Sequence, residues 1–501
     1  MKLSDLLGAS VVSTLRRDPE IWGLTADSRA VKSGFLFAAI QGETRDGRAF
    51  IPQAVENGAV AILTHELTGE DAPTELSVPV DAPEEVAVVR AANPRARLAE
   101  ASARFFYPGP KAQYAVTGTN GKTSTAWFAA QLFQGAGRKA ASLGTLGACV
   151  ADGSLRIPLG HTTPDPVTFH AAFAALRDAG VDAVIVEASS HGLVQNRLDG
   201  VSFDGAAFSN ITQDHLDYHA DFNAYFNAKA RLFAQRVKSN GFCVVNVDGA
   251  GAEKMAAVAA ERGLATITTG AEGADVRLLK CEPALAGLNL AVEALGVMRT
   301  IDVPVIGAFQ AENAMLAAGL AIGAGVPVSK VFDSLAGLCA PPGRMQLAGE
   351  DAGRAGYVDY AHTPDAVAAA LRAIRPHTAG RVVAIVGAGG DRDADKRPKM
   401  GAAAADGADC VIVTDDNPRS ENPALIRRAV LEGARSGGAE VREIGDRADA
   451  IRAGVDLLAP GDVLLVLGKG HETGQIIGDR TLPFDDAESV KAAFEERKGR
   501  S

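Results

Sequence analysis

A glycine loop that leads directly into a helical stretch is the clearest chemical feature of the sequence. The run Thr117-Gly-Thr-Asn-Gly-Lys-Thr-Ser124 follows the apolar segment Tyr114–Val116 and precedes TAWFAAQLF. Main-chain N–H groups at such a helix start bind phosphate oxygens, while Lys122 can neutralise phosphate charge and Thr123 can offer its hydroxyl to Mg²⁺. Two residues rather than four separate the two glycines, so the spacing differs from that of a standard P-loop. The strand–loop–helix context predicts a phosphate site.

Two polar clusters further along the chain contain possible metal ligands. The apolar run Ala183–Val186 ends at Glu187, whose carboxylate offers the oxygen ligands that Mg²⁺ prefers. The segment Asn210–His219 has two His and two Asp within six residues, a density that favours metal or phosphate chemistry over a solvated face. A strand-end glutamate is more often an ordinary cleft-edge charge. Lys229, in FNAKARLF, is by its own context an ordinary helix lysine.

Charged residues near the end of the chain would suit a zwitterionic amino acid. Asp416-Asn-Pro-Arg419 and Gly468-Lys-Gly-His-Glu472 each follow an apolar run, as does Arg392. Guanidinium groups bind carboxylates bidentately, whereas Asp, Asn and Glu oxygens accept hydrogen bonds from an ammonium group. A network of cleft salt bridges is the alternative. The stretch GAGGDRD around Arg392 lacks the dinucleotide-binding fingerprint, so we expect no dinucleotide there.

The apolar runs that precede these clusters predict the elements that position them. They alternate with Ala-rich helical stretches, a pattern typical of parallel strands in βαβ units. Ligands of open α/β sheets bind at the carboxyl ends of the strands, where these clusters lie. The runs are Tyr114–Val116, Ala183–Val186, Phe242–Val245, Val382–Val386, Cys410–Val413 and Val463–Leu467.

The length of 501 residues, at about 150 residues per domain, suggests three α/β domains. The segment Asp81–Pro94 and the run Ala340-Pro-Pro-Gly343 mark the boundaries between them. We therefore predict domains at 1–92, 93–340 and 341–501, with Pro341–Gly343 as a candidate hinge. Arg344 lies just beyond that hinge, and an arginine from a neighbouring domain can reach nucleotide phosphates.

Composition excludes several classes of protein. With 50 basic and 61 acidic residues the net charge is −11, which opposes a nucleic-acid groove or an anionic-membrane footprint. The five cysteines are widely spaced, which argues against a disulfide scaffold or a cysteine zinc site and favours a reducing compartment. No uncharged apolar run reaches the ~18 residues of a membrane span, and the first residues lack the core of a signal peptide. We therefore expect a cytoplasmic protein.

In their order, these motifs resemble those of the Mur ligases, ATP-dependent amide-forming enzymes of peptidoglycan precursor synthesis. The chain is most similar to the branch that adds the third amino acid to UDP-N-acetylmuramoyl-L-Ala-D-Glu. The resemblance covers essentially the whole chain, and the combination is highly specific. The motifs are LTADSR (Leu24–Arg29), GTNGKTS, HTTPD (His161–Asp165), EASSHGL, the Asn210–His219 run, AENA (Ala311–Ala314), PGRM, DYAHTPDA, GGDRD, DNPR and GKGHE.

The resemblance implies a small UDP-binding α/β domain, a central P-loop ATPase domain with a mostly parallel sheet, and a C-terminal Rossmann-like domain. It also implies the residues of each site. ATP would bind to Gly118, Thr119, Asn120, Gly121, Lys122, Thr123, Ser124, Asn313 and Arg344. The UDP substrate would bind to Ala26, Ser28, Glu43, Thr44, Arg45, His161, Thr162, Thr163, Ser189, Gln195 and Arg197. The catalytic and metal-binding residues would be Lys122, Thr123, Glu187, His215 and Lys229, the last as a carbamate that binds Mg²⁺. The amino acid would bind to Arg392, Asp416, Asn417, Pro418, Arg419, Gly468 and Glu472.

Arg419 predicts which amino acid is added. An arginine at this place resembles the members that add meso-diaminopimelate, whose distal end has a carboxylate, whereas lysine-adding relatives lack it. Sites built around such a polar partner can reject an analogue without it by about 10⁴-fold. The expected reaction is phosphorylation of the D-Glu γ-carboxylate by ATP, followed by attack of the diaminopimelate amine. The proton acceptor stays open between His362 and Asp359, and we expect a monomer.

Two other functions are possible. The nearer is a lysine-adding or folylpolyglutamate synthase-like ligase, which DNPR and LTADSR together oppose. The remote alternative is a P-loop NTPase that switches a binding surface; it leaves Arg392, Arg419 and Glu472 without a purpose. The chain departs from the family pattern at Gln310, His161 and Gly474, which affects the detail of the substrate pockets and not the reaction.

Overall fold

A computed structural model describes residues 1–8, 17–42, 45–65, 85–212, 218–271, 273–284 and 287–500, which form two compact units. Each unit contains parallel strands packed against helices, so the α/β class is confirmed. The predicted domain boundaries stay a prediction. The first unit comprises Met1–Lys122, Gly137–Ile267 and Gly323–Gly325, and the second comprises Thr123–Ala136, Thr268–Ile322 and Val326–Ser501.

The first unit begins with a four-stranded parallel sheet in the order β1-β2-β3-β4. Its strands are β1 (Gly23–Thr25), β2 (Phe35–Ala38), β3 (Ala59–His65) and β4 (Ala87–Ala91), and its helices are α1 (Leu3–Leu7), α2 (Ile51–Glu56) and α3 (Pro94–Phe105). Successive apolar side chains of the strands point to opposite faces of the sheet, so Leu36 and Leu63 pack with Leu98 of α3 in one core, whereas Phe37 and Ile62 pack in another. Asn93 caps α3 by accepting a hydrogen bond from the main-chain N–H of Ala96.

A second sheet of this unit has the strand order β11-β10-β5-β9-β6-β7-β8. The pairs from β11 to β6 are parallel, and β7 and β8 are antiparallel additions at the edge. The elements between Ala112 and Gly270 are β5 (Ala112–Thr117), α4 (Lys122–Gly135), β6 (Ala140–Gly144), β7 (Gly147–Val150), β8 (Arg156–Ile157), α5 (Pro166–Asp178), β9 (Ala183–Glu187), α6 (Ser190–Val194), β10 (Phe203–Phe208), α7 (Phe222–Arg231), β11 (Val237–Asn246), α8 (Ala252–Glu261) and β12 (Ala265–Gly270). Most of α4 and the second half of β12 are counted in the second unit.

The second unit contains the antiparallel strands β13, β14 and β15 and a six-stranded sheet in the order β16-β17-β21-β18-β19-β20. Within the latter only β16 pairs antiparallel. The elements are β13 (Val276–Ala284), β14 (Gly287–Ala294), β15 (Val297–Val303), α9 (Ala308–Gly323), α10 (Val328–Leu335), β16 (Gln346–Asp351), β17 (Arg354–Asp359), α11 (Pro364–Ile374), β18 (Val382–Val386), α12 (Lys396–Gly407), β19 (Cys410–Val413), α13 (Pro423–Ala434), β20 (Glu440–Glu443), α14 (Arg447–Asp456), β21 (Val463–Leu467), β22 (Gly474–Ile477), β23 (Arg480–Pro483) and α15 (Asp486–Arg500).

The strands predicted from apolar runs are all present in parallel sheets. Every residue of β9, β18, β19 and β21 is buried, because helices cover both faces of a parallel sheet. The predicted polar clusters follow the carboxyl ends of these strands and of β5 and β10. Within the described part of the chain, none of the helices combines the length and the apolar character that crossing a bilayer requires.

Candidate functional site

The loop between β5 and α4 depends on glycine. Gly118 has φ +151° and Gly121 has φ +87°, and a Cβ on Gly118 would lie 1.9 Å from the Oγ of Ser209. Residues after β10 hold the loop, because the main-chain N–H of Asn120 donates to Asn210 Oδ1 at 3.1 Å. The first turn of α4 follows at once and consists of Lys122, Thr123 and Ser124. The loop therefore ends at a helix N-terminus, which is the geometry that binds phosphate.

Two lysine side chains meet at this loop. Lys122 Nζ donates to the carbonyls of Gly118 at 2.9 Å and Thr119 at 2.7 Å. Lys229 Nζ donates to the same Gly118 oxygen at 2.7 Å. The Lys229 side chain is buried and lies over the ring of Tyr225, 4.4 Å from its centroid. By its own context Lys229 is an ordinary helix lysine, yet its ammonium group lies at the predicted phosphate loop.

The carboxylate of Glu187 is buried at the end of β9, beside the strand that leads into the loop. Its Oε1 accepts from the main-chain N–H of Thr145 at 2.9 Å, and its Oε2 accepts from the Thr145 hydroxyl at 3.2 Å. Thr162 Oγ1 lies 3.0 Å from the same hydroxyl. A Cβ on Gly144 would lie 2.0 Å from Glu187 Oε1, so glycine is needed there. Sequence reasoning missed Thr145, which lies in the turn between β6 and β7.

Most residues predicted to bind the dipeptide end of the substrate form one hydrogen-bonded group. Thr163 Oγ1 donates to the Glu187 carbonyl at 2.7 Å and accepts from the Ser189 N–H at 3.0 Å. Arg197 donates through Nη1 to the Thr163 carbonyl at 2.5 Å and through Nη2 to Gln195 Oε1 at 2.7 Å. The structure therefore brings these four side chains together beside Glu187.

The residues predicted to bind the UDP end are less connected. Ser28 Oγ donates to Gln53 Oε1 at 2.7 Å. Ala26, Arg45 and His161 are exposed. Glu43, Thr44 and His215 lie outside the described residues. Because His215 is among them, a metal site that uses it stays a prediction, and the described residues contain no cluster of three His, Cys, Asp or Glu able to hold a metal ion.

Asn313 and Arg344 belong to the second unit. Asn313 is buried on α9, where its Nδ2 donates to Gln310 Oε1 at 3.0 Å. The Arg344 guanidinium lies 5.0 Å from the ring centroid of Tyr360, a cation–π distance. Burial raises the pKa of the nearby Asp359 carboxyl, although the charge of Arg344 opposes this.

The segment Pro341–Gly343, the predicted hinge, is held on both sides within the second unit. Before it, Trp127 Nε1 and Gln131 Nε2 of α4 both donate to the carbonyl of Cys339 at 3.0 Å, and the Cys339 N–H donates to Gln131 Oε1 at 2.8 Å. After the prolines, Gly343 has φ +67°, and a Cβ there would lie 2.2 Å from the carbonyl carbon of Gly470.

Arg419 follows β19 in a left-handed conformation, with φ +51°. Its main chain is fixed by β22, because its N–H donates to the Ile476 carbonyl at 3.0 Å and its carbonyl accepts from Gly478 at 2.7 Å. Its Nη1 donates to the Gly390 carbonyl at 2.8 Å, and Arg392 Nη1 donates to its neighbour's carbonyl at 3.1 Å. Neither guanidinium pairs with a carboxylate of the described residues, so both can take one from a ligand.

A second group of charges lies at the ends of β19 and β21. Asn417 Nδ2 donates to Glu472 Oε2 at 2.8 Å. Lys469 Nζ donates to Asn417 Oδ1 at 2.9 Å and to Glu472 Oε2 at 3.3 Å, and lies 3.6 Å from Asp416 Oδ1. Gly468, with φ +116°, could not hold a Cβ, which would lie 2.5 Å from Asp416 Oδ2. The predicted Asp416, Asn417 and Glu472 are thus together, and Lys469 joins them.

The ends of these two strands are linked by a buried ion pair. Arg447 and Asp486 are both fully buried, with Nη2 and Oδ2 2.7 Å apart. Arg447 also donates to the carbonyls of Leu467 at 2.9 Å and Asp415 at 3.4 Å. Leu467 is the last residue of β21, and Asp415 directly precedes the Asp416 motif. Arg447 therefore fixes the main chain from which both motifs begin.

Comparisons with known proteins identify the family of the chain. Sequence profiles of the Mur ligase family match at residues 20–106 (catalytic domain), 116–321 (middle domain) and 343–470 (glutamate ligase domain). The UDP-N-acetylmuramoyl-L-alanyl-D-glutamate–2,6-diaminopimelate ligase of Caulobacter vibrioides is 48% identical over 99% of both chains. The ligase of the same name from Bradyrhizobium diazoefficiens is 44% identical over 99% of this chain and 100% of its own.

Solved structures give the same result. A UDP-N-acetylmuramoyl-L-alanyl-D-glutamate–2,6-diaminopimelate ligase structure superposes with a TM-score of 0.70 at 33% identity, covering 95% of each chain. Folylpolyglutamate synthase of Mycobacterium tuberculosis, solved with ADP, covers 71% of this chain and 87% of its own with a TM-score of 0.57 at 21% identity, a likeness of fold alone. This chain belongs to the Mur ligase family.

Proposed function

We propose that this chain is an ATP-dependent ligase that adds meso-diaminopimelate to the D-Glu γ-carboxylate of UDP-N-acetylmuramoyl-L-Ala-D-Glu. The main observation is Arg419, whose guanidinium bonds a main-chain carbonyl and pairs with no described carboxylate. The distal end of meso-diaminopimelate has a carboxylate for this group and an ammonium for the acidic residues beside it. Relatives named for this reaction are 48% and 44% identical to the chain, which supports the assignment.

The reaction has two steps. The γ-phosphoryl group of ATP moves to an oxygen of the D-Glu γ-carboxylate, which breaks the bond to the β-phosphate oxygen and releases ADP. The diaminopimelate amine then attacks the acyl carbon, the carbon–oxygen bond to phosphate breaks, and phosphate leaves as the amine loses a proton. No nucleophilic side chain is needed, so most of the catalysis comes from positioning and charge stabilisation.

Residues of the phosphate loop would act in the first step, the phosphoryl transfer. The main-chain N–H groups of Gly118–Ser124 would hold the phosphates of ATP, with help from Asn313 and Arg344. Lys122 would exchange its two carbonyl acceptors for phosphate oxygens, because charge-assisted hydrogen bonds to an anion are stronger than those to a neutral carbonyl. The positive charge of Lys122 would then stabilise the negative charge on the transferring phosphoryl group.

Magnesium fits the oxygen donors at this loop. The buried carboxylate of Glu187 and the hydroxyl of Thr123 are ligands that a hard cation prefers, and we propose that both hold Mg²⁺ together with His215. Lys229 as an ammonium would repel a cation, so it fits such a site only as an anionic carbamate. When bound, Mg²⁺ would neutralise the charge that develops during phosphoryl transfer.

The UDP substrate would be held at two places. Ala26, Ser28 and residues 43–45 would bind the uridine diphosphate. Thr162, Thr163, Ser189, Gln195 and Arg197, with the exposed His161, would bind the muramoyl-dipeptide and direct the γ-carboxylate of D-Glu. The hydrogen bond of Thr163 to the Glu187 carbonyl ties this second group to the end of β9.

His362 is the better candidate for the amine proton. Both carboxylate oxygens of Asp359 already accept main-chain N–H groups, from Met345 at 2.8 Å and Ala361 at 2.9 Å. His362 is exposed, and its Nδ1 lies 2.8 Å from the Tyr360 carbonyl, which leaves Nε2 able to take a proton.

ATP-dependent phosphate release tests the proposal. It is measured with UDP-N-acetylmuramoyl-L-Ala-D-Glu and with meso-diaminopimelate, L-lysine or no amino acid. We expect release that requires the dipeptide substrate and strongly prefers meso-diaminopimelate. A preference for L-lysine would keep the reaction and overturn the specificity, and release that ignores every acceptor would reduce the chain to an NTPase.

A further inference from the structure

A fully buried lysine lies inside the predicted amino-acid pocket. Lys469 is 0% exposed, and its Nζ bonds Asn417 Oδ1 at 2.9 Å and Glu472 Oε2 at 3.3 Å, with Asp416 Oδ1 at 3.6 Å. Burial of an ammonium group without hydrogen-bond partners is strongly unfavourable, so Lys469 can be buried only because these acceptors are present. All three acceptors are on residues predicted to bind the amino acid.

Lys469 and the main-chain N–H of Ile476 together determine which way the Asn417 amide points. Asn417 Oδ1 accepts from Lys469 and also from the main-chain N–H of Ile476 at 2.9 Å. With the amide reversed, its NH₂ group would face two donors and would lose both bonds. The observed orientation directs Nδ2 towards Glu472, to which it donates at 2.8 Å. The Asn417 oxygen, which the sequence suggested as an acceptor for a ligand ammonium, is therefore already occupied.

The same contacts leave one oxygen of Glu472 for a ligand. Oε2 accepts from both Asn417 and Lys469, whereas Oε1 accepts from no residue in the described part of the chain. The ammonium group of Lys469 stabilises the two carboxylates of Asp416 and Glu472 beside each other. Two carboxylates without Lys469 would repel each other and would not hold a fixed geometry.

We infer that Lys469 is a positioning residue of the amino-acid pocket, which aligns Asn417 and Glu472 so that Glu472 Oε1, beside Asp416, receives the ammonium group of the incoming amino acid. This inference rests on the proposed function. Lys469 acts through its neighbours and does not contact the reacting atoms. Its role differs from that of Arg447, whose contacts are with Asp486 and main-chain carbonyls and which fixes the fold beneath the pocket.

The test is a comparison of kinetic constants for Lys469→Met, which removes the charge and keeps most of the volume. Lys491→Met, at an exposed position of α15, is the matched control. We expect the KM for meso-diaminopimelate to rise about 10- to 100-fold in Lys469→Met, since Asn417 and Glu472 would lose the charged group that aligns them. The KM values for ATP and the UDP substrate, and kcat at saturating amino acid, should stay within about threefold, because Lys469 contacts only residues proposed to bind the amino acid.

Two outcomes of this comparison would overturn the inference. One is an unchanged KM for the amino acid. The other is a loss shared by all three substrates, which would indicate a structural role only. Lys469→Gln, which keeps a neutral donor towards Asn417 and Glu472, covers the case that the methionine variant does not fold. It should raise the same KM about tenfold, as expected for one lost charge-assisted bond, and no rise would reject the proposal.

A double-mutant cycle with Glu472→Gln separates positioning from an independent contribution. If Lys469 acts through Glu472, its substitution adds little once Glu472 is changed, and the coupling is large. Independent, multiplied effects would contradict the proposal. If the wild-type enzyme uses L-lysine instead, the proposed specificity fails, and the same comparison made with L-lysine decides on Lys469. If the enzyme needs no amino acid, both proposals are overturned.

Discussion

The predicted phosphate loop and the acidic end of the predicted amino-acid pocket, formed by Asp416, Asn417, Lys469 and Glu472, hold their positive charges in different ways. In the loop, Lys122 and Lys229 both donate to the neutral carbonyl of Gly118. In the pocket, Lys469 lies against the carboxylate of Glu472, and beneath the pocket Arg447 pairs with Asp486. A carbonyl is readily exchanged for a phosphate oxygen, whereas a buried ion pair breaks only at a large cost. We therefore expect the loop lysines to exchange their acceptors when a phosphate binds, and the acidic end of the pocket to keep its geometry whether or not a ligand is bound.

The largest effect is expected for Arg447→Met. Asp486 would remain buried without its partner, which should lower the free energy of unfolding by about 4 kcal/mol, measured by urea denaturation. Arg452→Met on the same helix is the control, because Arg452 and its partner Asp449 are half exposed and such pairs contribute little to stability. Equal losses in the two variants would mean that buried pairs do not shape the pocket.

Lys122→Ala should damage catalysis and leave stability almost unchanged. Removal of one preorganised charge at the transferring phosphoryl group should lower kcat by about 10²–10³-fold, measured as phosphate release at saturating substrates. The Gly118 carbonyl keeps its hydrogen bond from Lys229, so the free energy of unfolding should change by only about 1 kcal/mol. Lys111→Ala, at a fully exposed position, is the control. A stability loss as large as that of Arg447→Met would contradict the distinction between the two sites.

Arg419→Ala should raise the KM for meso-diaminopimelate by about 10²-fold, since the carboxylate loses its charged donor. The KM for ATP should stay unchanged. Because Arg419 has φ +51°, alanine is strained there, and Arg419→Asn is the control because asparagine tolerates the left-handed conformation. Both variants should give the same rise. A recovery in the asparagine variant would indicate that backbone strain and not the guanidinium is responsible.

The smallest effect concerns pH and a buried histidine of the first unit. Burial among Phe169 and Phe173 lowers the pKa of His170 from 6.5 to about 4. The unfolded chain then binds the proton first, so stability is lost as pH falls below 6.5, by about 2 kcal/mol between pH 7 and pH 5. Urea denaturation at both pH values should show this loss in the wild type and in His161→Gln. His170→Gln should abolish this contribution, and an unchanged pH slope in that variant would refute the assignment.

The parallel strands could be predicted from the sequence because they are buried on both faces and therefore form continuous apolar runs. β18, β19 and β21 are apolar at every position, and the polar clusters that follow them must lie at one edge of a parallel sheet. The antiparallel strands β13, β14 and β15 were not predicted. Buried and half-buried residues alternate along much of β14, and this weaker pattern was not among the continuous apolar runs used to find strands.

The residues that the sequence did not reveal are those whose partners are distant in the chain. Thr145 reaches Glu187, 42 residues away, because β6 pairs with β9. Lys469 lies between two glycines, a context that does not distinguish a buried lysine from an exposed one. Lys229 was found through family resemblance alone, since its contact with Gly118 spans 111 residues. Such contacts depend on tertiary structure, and composition and periodicity contain no signal for them.

The contact of Trp127 with Cys339, two residues before the predicted hinge Pro341–Gly343, has a spectroscopic consequence. The chain contains two tryptophans. The Trp22 side chain is 67% exposed, whereas the half-buried Trp127 donates its indole N–H to the carbonyl of Cys339 at 3.0 Å. Indole emission shifts when this hydrogen bond and its surroundings change. In a Trp22→Phe chain the remaining tryptophan fluorescence comes from Trp127, so its emission reports on changes around Cys339, just before the predicted hinge.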